Sequence, residues 1–198
     1  MPEAPEAVLG DVARHLRDRG VAFALVGGLA VSIRGEVRFT RDVDLAVAVP
    51  TDAAMENLIR DLASVGYRPI AVVEHEVRRR LATARLESPS GVVVDLLAAS
   101  SGVESEVVAR ATQVVVEGAG EIPVARAEEL VAMKVLSMTE RRLQDRLDAI
   151  NLLLANPSLH FEDVRALLGL IAERGFDRTQ DLVKKFDALI DEVCDGSV

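Results

Sequence analysis

The chain has 198 residues, 23 of them Lys or Arg and 32 Asp or Glu, for a formal charge of −9 at neutral pH. Its 49% hydrophobic content and its length suit one large domain, or one domain with a small appendage, and exclude global disorder. The negative overall charge excludes a basic nucleic-acid-coating protein but leaves room for a local basic site.

Ala7 to Arg19 places Val8, Val12 and Leu16 four residues apart, a helical period, and Gly20 is positioned to end that helix. Val21 to Val26 is a short apolar run suited to a buried strand. Gly27-Gly28 follows, and a short helical pattern runs from Leu29 to Arg34. Asp42 to Val49 reads as a second strand closed by Pro50. Thr51 is a suitable N-cap for a helix reaching about Val65, with Gly66 as its stop. Residues 67–76 carry no decisive period. Leu81 to Leu86 and Val92 to Leu97 read as strands on either side of the turn Ser88-Pro89-Ser90-Gly91. A helix is expected over Val103 to Ala111 and a strand over Val114 to Val116.

After Pro123 the character changes. Ala127 to Leu154 reads as helical, as one long helix or as two in sequence. Asn156-Pro157-Ser158 marks a break, and helices are expected over Phe161 to Arg174 and Thr179 to Val193. The expectation is an α+β fold. A mixed sheet flanked by helices fills residues 1–125, and a C-terminal helical region over residues 126–198 packs on it.

Cys194 is the one cysteine, so no intrachain disulfide can form, which favours a reducing compartment. The run Met1 to Glu6 lacks the basic and apolar regions of a signal peptide. The longest apolar run, Val21 to Ile33, is interrupted by glycines and falls short of the ~20 residues that span a bilayer. A soluble, cytoplasmic protein with no membrane partner is expected. His15, His75 and His160 are scattered, which argues against a dedicated zinc site.

A strand ending in Gly27-Gly28 before a helix start is a phosphate-binding arrangement, because free N–H groups there point at an anion. Alone, the pair also fits an ordinary tight turn. Asp42 and Asp44 lie two apart on a strand and so project from one face. Val43, Leu45, Val47 and Val49 form the opposite, buried face, while Ala46 and Ala48 keep the acidic face unobstructed. Two neighbouring carboxylates repel unless a cation lies between them, and magnesium both resolves this and binds phosphate. Asp95 interrupts the apolar strand Val92 to Leu97, so it must be metal-bound or paired with a nearby arginine. Asp42, Asp44 and Asp95 on neighbouring strands make a three-carboxylate metal site suited to phosphoryl transfer.

Lys134, Arg141, Asp145 and Asp148 lie seven, four and three residues apart. On a continuous helix they share one face within roughly 60°. Met133, Leu136, Leu143, Leu147, Ile150 and Leu154 take the other side. The simpler reading of the stripe is a solvated face with an Arg141–Asp145 pair. Arg34, Arg38 and Arg41 cluster before the carboxylates and suit phosphate recognition. Arg78-Arg79-Arg80 fits either a basic rim that receives triphosphate or an RNA end, or, more simply, a solvated helix face.

Gly27-Gly28, Asp42-Val43-Asp44 and the later Asp95 resemble the nucleotidyltransferase superfamily typified by DNA polymerase beta. The fuller pattern Arg38-x-Thr40-x-Asp42-x-Asp44, followed by Lys134, Arg141, Asp145 and Asp148, resembles the AbiEii-type toxin nucleotidyltransferases. The mycobacterial MenT toxins belong to that group. The resemblance covers Val21 to Leu154 and implies a nucleotidyltransferase-type sheet. It further implies a nucleoside triphosphate substrate and a magnesium or manganese cofactor. Asp42, Asp44 and Asp95 would hold metal. Gly27, Gly28, Ser32, Arg38, Thr40, Arg41, Lys134 and Arg141 would contact the nucleotide. Lys134 would meet the phosphates. Asp145 would act near the reacting group, as a base, a base-recognition group or a brace.

The position after Gly-Gly is often Ser or Thr in these enzymes and is Leu29 here, so the hydroxyl would come from Ser32 or Thr40. Phe39 and Tyr67 are the aromatic residues nearest the motifs and the candidates for base stacking. The resemblance implies a tRNA 3′ end as acceptor and a cognate antitoxin as partner. Alternatives are a protein-adenylylating antitoxin, an antibiotic-adenylylating enzyme, and a non-catalytic nucleotide-binding module.

Overall fold

The structure, a computed structural model, describes residues 4–75 and 78–196. Its elements in chain order are α1 (Pro5–Asp18), β1 (Phe23–Val26), α2 (Gly27–Arg34), β2 (Asp42–Val47), α3 (Asp52–Ser64), β3 (Arg68–His75), β4 (Arg80–Glu87) and β5 (Val93–Leu97). There follow α4 (Glu104–Arg110), β6 (Thr112–Val116), β7 (Gly120–Val124), α5 (Ala127–Ser137), α6 (Leu143–Ala155), α7 (Phe161–Glu173) and α8 (Leu182–Cys194). The fold is α+β, as the pattern of periods predicts.

The residues group into two compact units. One comprises Met1–Leu29, Phe39–Ser100 and Glu104–Ala125; the other comprises Ala30–Arg38, Ser101–Val103 and Arg126–Val198. The chain passes from the first to the second within α2.

The first unit is built on a seven-stranded mixed sheet of order β3-β4-β5-β2-β1-β7-β6. β2 runs antiparallel to β1 and parallel to β5, with Asp44 opposite Asp95. β1 and β2 are central, and Phe23 to Val26, Val43, Leu45 and Val47 are buried. α1 closes against β2 with Val8, Leu9, Val12, Ala13 and Leu16. Gly20, at φ +66°, ends α1, and Val21 N–H reaches back to the Leu16 carbonyl. Thr51 caps α3 by accepting from Ala54 N–H at 3.2 Å.

Two strands escape the sequence pattern. β3 occupies residues of the undecided 67–76 segment, residue 76 lying outside the described residues. It is an edge strand exposed along nearly its whole length, so neither face imposes a burial period. β7 contains Pro123, which argues against a strand. Its pairing with β1 is confined to Leu25 opposite Val124, so the missing N–H falls outside that ladder. The Arg78-Arg79-Arg80 run is no helix face. Arg78 and Arg79 lie in a turn, while Arg80 opens β4 and donates to Asp52 Oδ1 at 2.7 Å.

The second unit surrounds α5, whose Leu130, Val131, Ala132, Val135 and Leu136 are all buried. Helices α6, α7 and α8 pack against it. The long helical stretch is two helices, broken over residues 138–142. No Gly or Pro marks the break. Lys185 Nζ caps the end of α5, donating to the carbonyls of Val135 at 2.7 Å and Met138 at 2.9 Å.

This break overturns the single charged stripe. Lys134 lies on α5, Arg141 in the connection, and Asp145 and Asp148 on α6. The expected polarity of α6 is also reversed in part, although Ile150 is buried as expected. Asp145 and Asp148 are buried, while Leu143, Leu147 and Leu154 are exposed. Among the described residues no helix is long and apolar enough to cross a membrane. The reversal has a direct thermodynamic signature. Leu147→Ala is expected to change unfolding free energy by no more than about 0.5 kcal/mol. Asp148→Ala, which takes a buried carboxylate from both Arg38 and Lys134, is expected to cost about 3–5 kcal/mol. Urea denaturation of both variants measures the contrast.

Candidate active site

In the first unit the sheet lines up charge across its strands. Asp44 on β2 is paired with Asp95 on β5, and Asp95 with Arg85 on β4. On the other side Asp44 is paired with Val26, the residue before Gly27. Directly paired residues share a sheet face, and strands lie about 4.8 Å apart, so Arg85, Asp95 and Asp44 form one row. Asp42, two residues before Asp44, projects from the same face. Asp42 and Asp44 are half-buried, and Asp95 is buried.

Carboxylates this close repel. Two like charges about 5 Å apart at an effective dielectric near 20 cost roughly 3 kcal/mol. Arg85 offsets part of that. Its Nε donates to Asp95 Oδ1 at 2.8 Å and its Nη2 to Oδ2 at 2.6 Å. The hydrogen bonds and charge of Asp95, and more weakly the charges of Asp42 and Asp44, push the Arg85 pKa above its usual value despite burial. The salt-bridge alternative for Asp95 is thus realised, with an arginine that belongs to none of the sequence motifs. The available signal was the alternation of β4, where Arg85 falls between buried Ala84 and Leu86.

As the side chains stand, no group of three or more His, Cys, Asp or Glu among the described residues is arranged to hold a metal ion. The backbone nonetheless suits one. Three hard oxygen donors share one face of two adjacent strands, the donor chemistry of magnesium or manganese.

Gly27 opens α2 at φ +64°. A Cβ there would lie 1.9 Å from Asp44 Oδ2 and 2.6 Å from Asp44 Cβ. Only glycine lets the Asp44 carboxylate lie against the start of that helix. Gly28 and Leu29 are buried beside it. Leu29, which replaces the hydroxyl residue of the motif, therefore serves packing.

The second unit holds a separate ion cluster. Lys134 Nζ lies 2.8 Å from Asp145 Oδ1 and 2.7 Å from Asp148 Oδ2. Arg38 Nε lies 3.0 Å from Asp148 Oδ1, and its Nη2 donates to Oδ2 at 3.1 Å. Gln144 donates to Asp148 at 2.8 Å. Arg142, not Arg141, reaches Asp145, with Nε 2.7 Å from Oδ2. Burial works to raise the Asp148 pKa. The hydrogen bonds from Lys134 and Gln144 and the charges of Lys134 and Arg38 outweigh it and hold the carboxyl below the usual range. Ser32 is engaged as well, its hydroxyl bonding both the N–H and the carbonyl of Arg38 at 3.2 Å. Packing of α5 against α6, not a shared face of one continuous helix, brings Lys134, Asp145 and Asp148 together.

Thr40 and Arg41 lie in the irregular segment before β2, and exposed Arg41 sits over the Phe39 ring at 5.4 Å. Phe39 is exposed, whereas Tyr67 is buried with its hydroxyl donating to Asp11 at 2.9 Å. A separate groove beside Arg17, Phe23, Val108 and Gln113 contains none of the candidate residues.

Two outcomes are expected. Gly27→Ala adds left-handed backbone strain and a collision with Asp44, and should lower stability by about 1–3 kcal/mol in chemical denaturation. Asp148 contributes to the acid dependence of stability. Its folded pKa lies below that of an unfolded aspartate, about 3.9, so protonation favours the unfolded chain. The stabilisation is complete above that value and is lost as pH falls through the lower, folded pKa. Asp148→Asn should flatten the acid limb of a stability–pH curve measured by urea denaturation.

The sequence matches the family described as nucleotidyl transferase AbiEii toxin, type IV toxin–antitoxin system, over residues 14–194. No curated protein matches it by sequence. Among solved structures, an antigenic nucleotidyltransferase-like protein from Paracoccidioides brasiliensis is similar in fold. The TM-score is 0.52 at 17% identity, over 91% of this chain and 92% of that one. The antibiotic-resistance factor ANT(2'')-Ia superposes with TM-score 0.51 at 16% identity, over 85% and 91% of the two chains. The lincosamide antibiotic adenylyltransferase LnuA, in its lincomycin-bound structure, gives 0.50 at 15% identity, over 75% and 96%. The sheet is that of a nucleotidyltransferase, and over nearly its whole length the chain belongs to the AbiEii nucleotidyltransferase toxin family.

Proposed function

We propose that this nucleotidyltransferase moves a nucleoside monophosphate from a nucleoside triphosphate to the 3′ hydroxyl of a tRNA, as the toxin of a toxin–antitoxin pair. One observation supports it above the others: Asp42, Asp44 and Asp95 share one sheet face beside a glycine that admits no side chain.

Asp42, Asp44 and Asp95 would hold magnesium. When bound, the ion neutralises phosphate charge and polarises the α-phosphoryl group. Gly27 and Gly28 let the phosphate chain approach the backbone where α2 begins. The acceptor oxygen bonds to the α-phosphorus, the bond to the β-phosphate oxygen breaks, and pyrophosphate leaves. Asp95 takes the hydroxyl proton. Thr40 and Arg41 flank the entry to β2 and contact the nucleotide, with Phe39 stacking on a base.

In the second unit Lys134 is assigned to the phosphates, with Arg141 contacting the nucleotide. Asp145 and Asp148 hold the Lys134 ammonium, which favours the bracing role for Asp145. Arg38, in the loop after α2, supports this group directly, and Ser32, within α2, holds the Arg38 backbone. The tRNA acceptor rests on the likeness to the MenT toxins, and the antitoxin partner on family membership. The site of action is assigned to the cytoplasm, where both would be met. A second reading, antibiotic adenylylation, draws on the net charge of −9, which suits a cationic drug.

The experiment is label transfer. Protein, magnesium, each α-labelled nucleoside triphosphate in turn and total bacterial tRNA are combined, with Asp44→Ala as control. Label is expected on tRNA with wild type and to fall at least about 100-fold in the variant. Transfer at wild-type rate by folded Asp44→Ala would remove the carboxylates from the mechanism. Label on a protein, or on an aminoglycoside added instead of tRNA, would replace the acceptor.

A further inference from the structure

Asp95 has two cations to choose between. Both of its oxygens accept from the Arg85 fork, at 2.8 and 2.6 Å. A two-point guanidinium–carboxylate pair commits the oxygens that a metal would use and places positive charge where the metal's would lie. The pair is nonetheless poised to open. The Asp95 side chain is 10% accessible and is fixed in the sheet, but that of Arg85 is 49% accessible. Leaving Asp95 takes the guanidinium into water, not into an apolar core. A phosphate chain offers it the same planar, two-point geometry that a carboxylate does.

We propose that Arg85 is a displaceable counter-cation of the carboxylate row, competing with divalent metal for Asp95 and passing to the nucleotide's phosphates when metal binds. This inference rests on the nucleotidyltransferase reading above. Without metal, Arg85 offsets the repulsion between Asp95 and Asp44, which face each other across β5 and β2. With metal, the row has its charge from the ion and the guanidinium is released. Metal bound alone must displace Arg85 without a new partner for it. Metal bound with nucleotide has no such cost, so the two ligands bind with positive coupling, and the coupling is reciprocal. Arg85 is thereby a positioning residue for the metal and a specificity element for the phosphate chain.

The test is titration of the whole protein with manganese alone, followed by calorimetry, for wild type, Arg85→Gln, Arg85→Lys and Asp44→Asn. Circular dichroism confirms that each variant is folded. Arg85→Gln is expected to bind manganese about five-fold more tightly than wild type, or better. It should also lose thermal stability without metal and regain it on metal addition. Arg85→Lys keeps the charge without the fork and should fall between the two; it decides the matter if the Gln variant does not fold. Unchanged or weaker manganese binding by the folded Arg85 variants, with Asp44→Asn binding abolished, overturns the competition and leaves the metal site standing. Wild-type affinity in Asp44→Asn would instead remove metal from the row and overturn both readings.

Discussion

Like charge gathered on one sheet face is the constraint around which the first unit is organised. Asp44 and Asp95 are brought opposite each other by the parallel pairing of β2 and β5, and Asp42 follows one pleat away. Backbone hydrogen bonding enforces a juxtaposition that the carboxylates themselves oppose. Two accommodations follow. Gly27 leaves the volume that the Asp44 carboxylate fills, and Arg85 supplies the nearest positive charge. The opposite face of β2 is fully apolar, with Val43, Leu45 and Val47 buried, so the strand is anchored by its back while its front carries the carboxylates.

The second unit solves a related problem with the opposite emphasis. Its buried charges balance among themselves, with Lys134 between two aspartates and Arg38 on one of them. Such a group is costly to disrupt from either sign, because removing one member leaves an excess of the opposite charge in the interior. It also joins α5, α6 and the loop after α2 through charge, in a region where α6 turns several leucines to solvent. Stability and the disposition of Lys134 are therefore carried by the same contacts. A loss of activity on altering Lys134 has to be separated from a loss of fold.

Family membership and fold similarity act at different levels here. The family match covers residues 14–194 and fixes the class of chemistry. The solved structures, at 15–17% identity, share the sheet and nothing that specifies an acceptor. One sheet can serve many acceptors because the acceptor is met by side chains that the fold does not dictate.

Local chemistry made much of this protein legible in advance. Gly20 and Gly66 as helix stops, Thr51 as a cap, the strand containing Asp42 and Asp44 and the α+β order all follow from spacing and turn residues, which act within a few positions along the chain. What escaped depends on contacts distant in sequence. β3 lacks a burial period because it is an edge, and β7 is a strand despite Pro123 because its ladder to β1 ends before it. The break after α5 is held by Lys185, 50 residues beyond Val135. The buried side of α6 departs from its apolar pattern because the Asp148 carboxylate finds Lys134 and Arg38 in the interior. The same limit hid Arg85. Residue type and spacing put carboxylates on neighbouring strands, but only the antiparallel register of β4 against β5 decides which cation stands opposite Asp95.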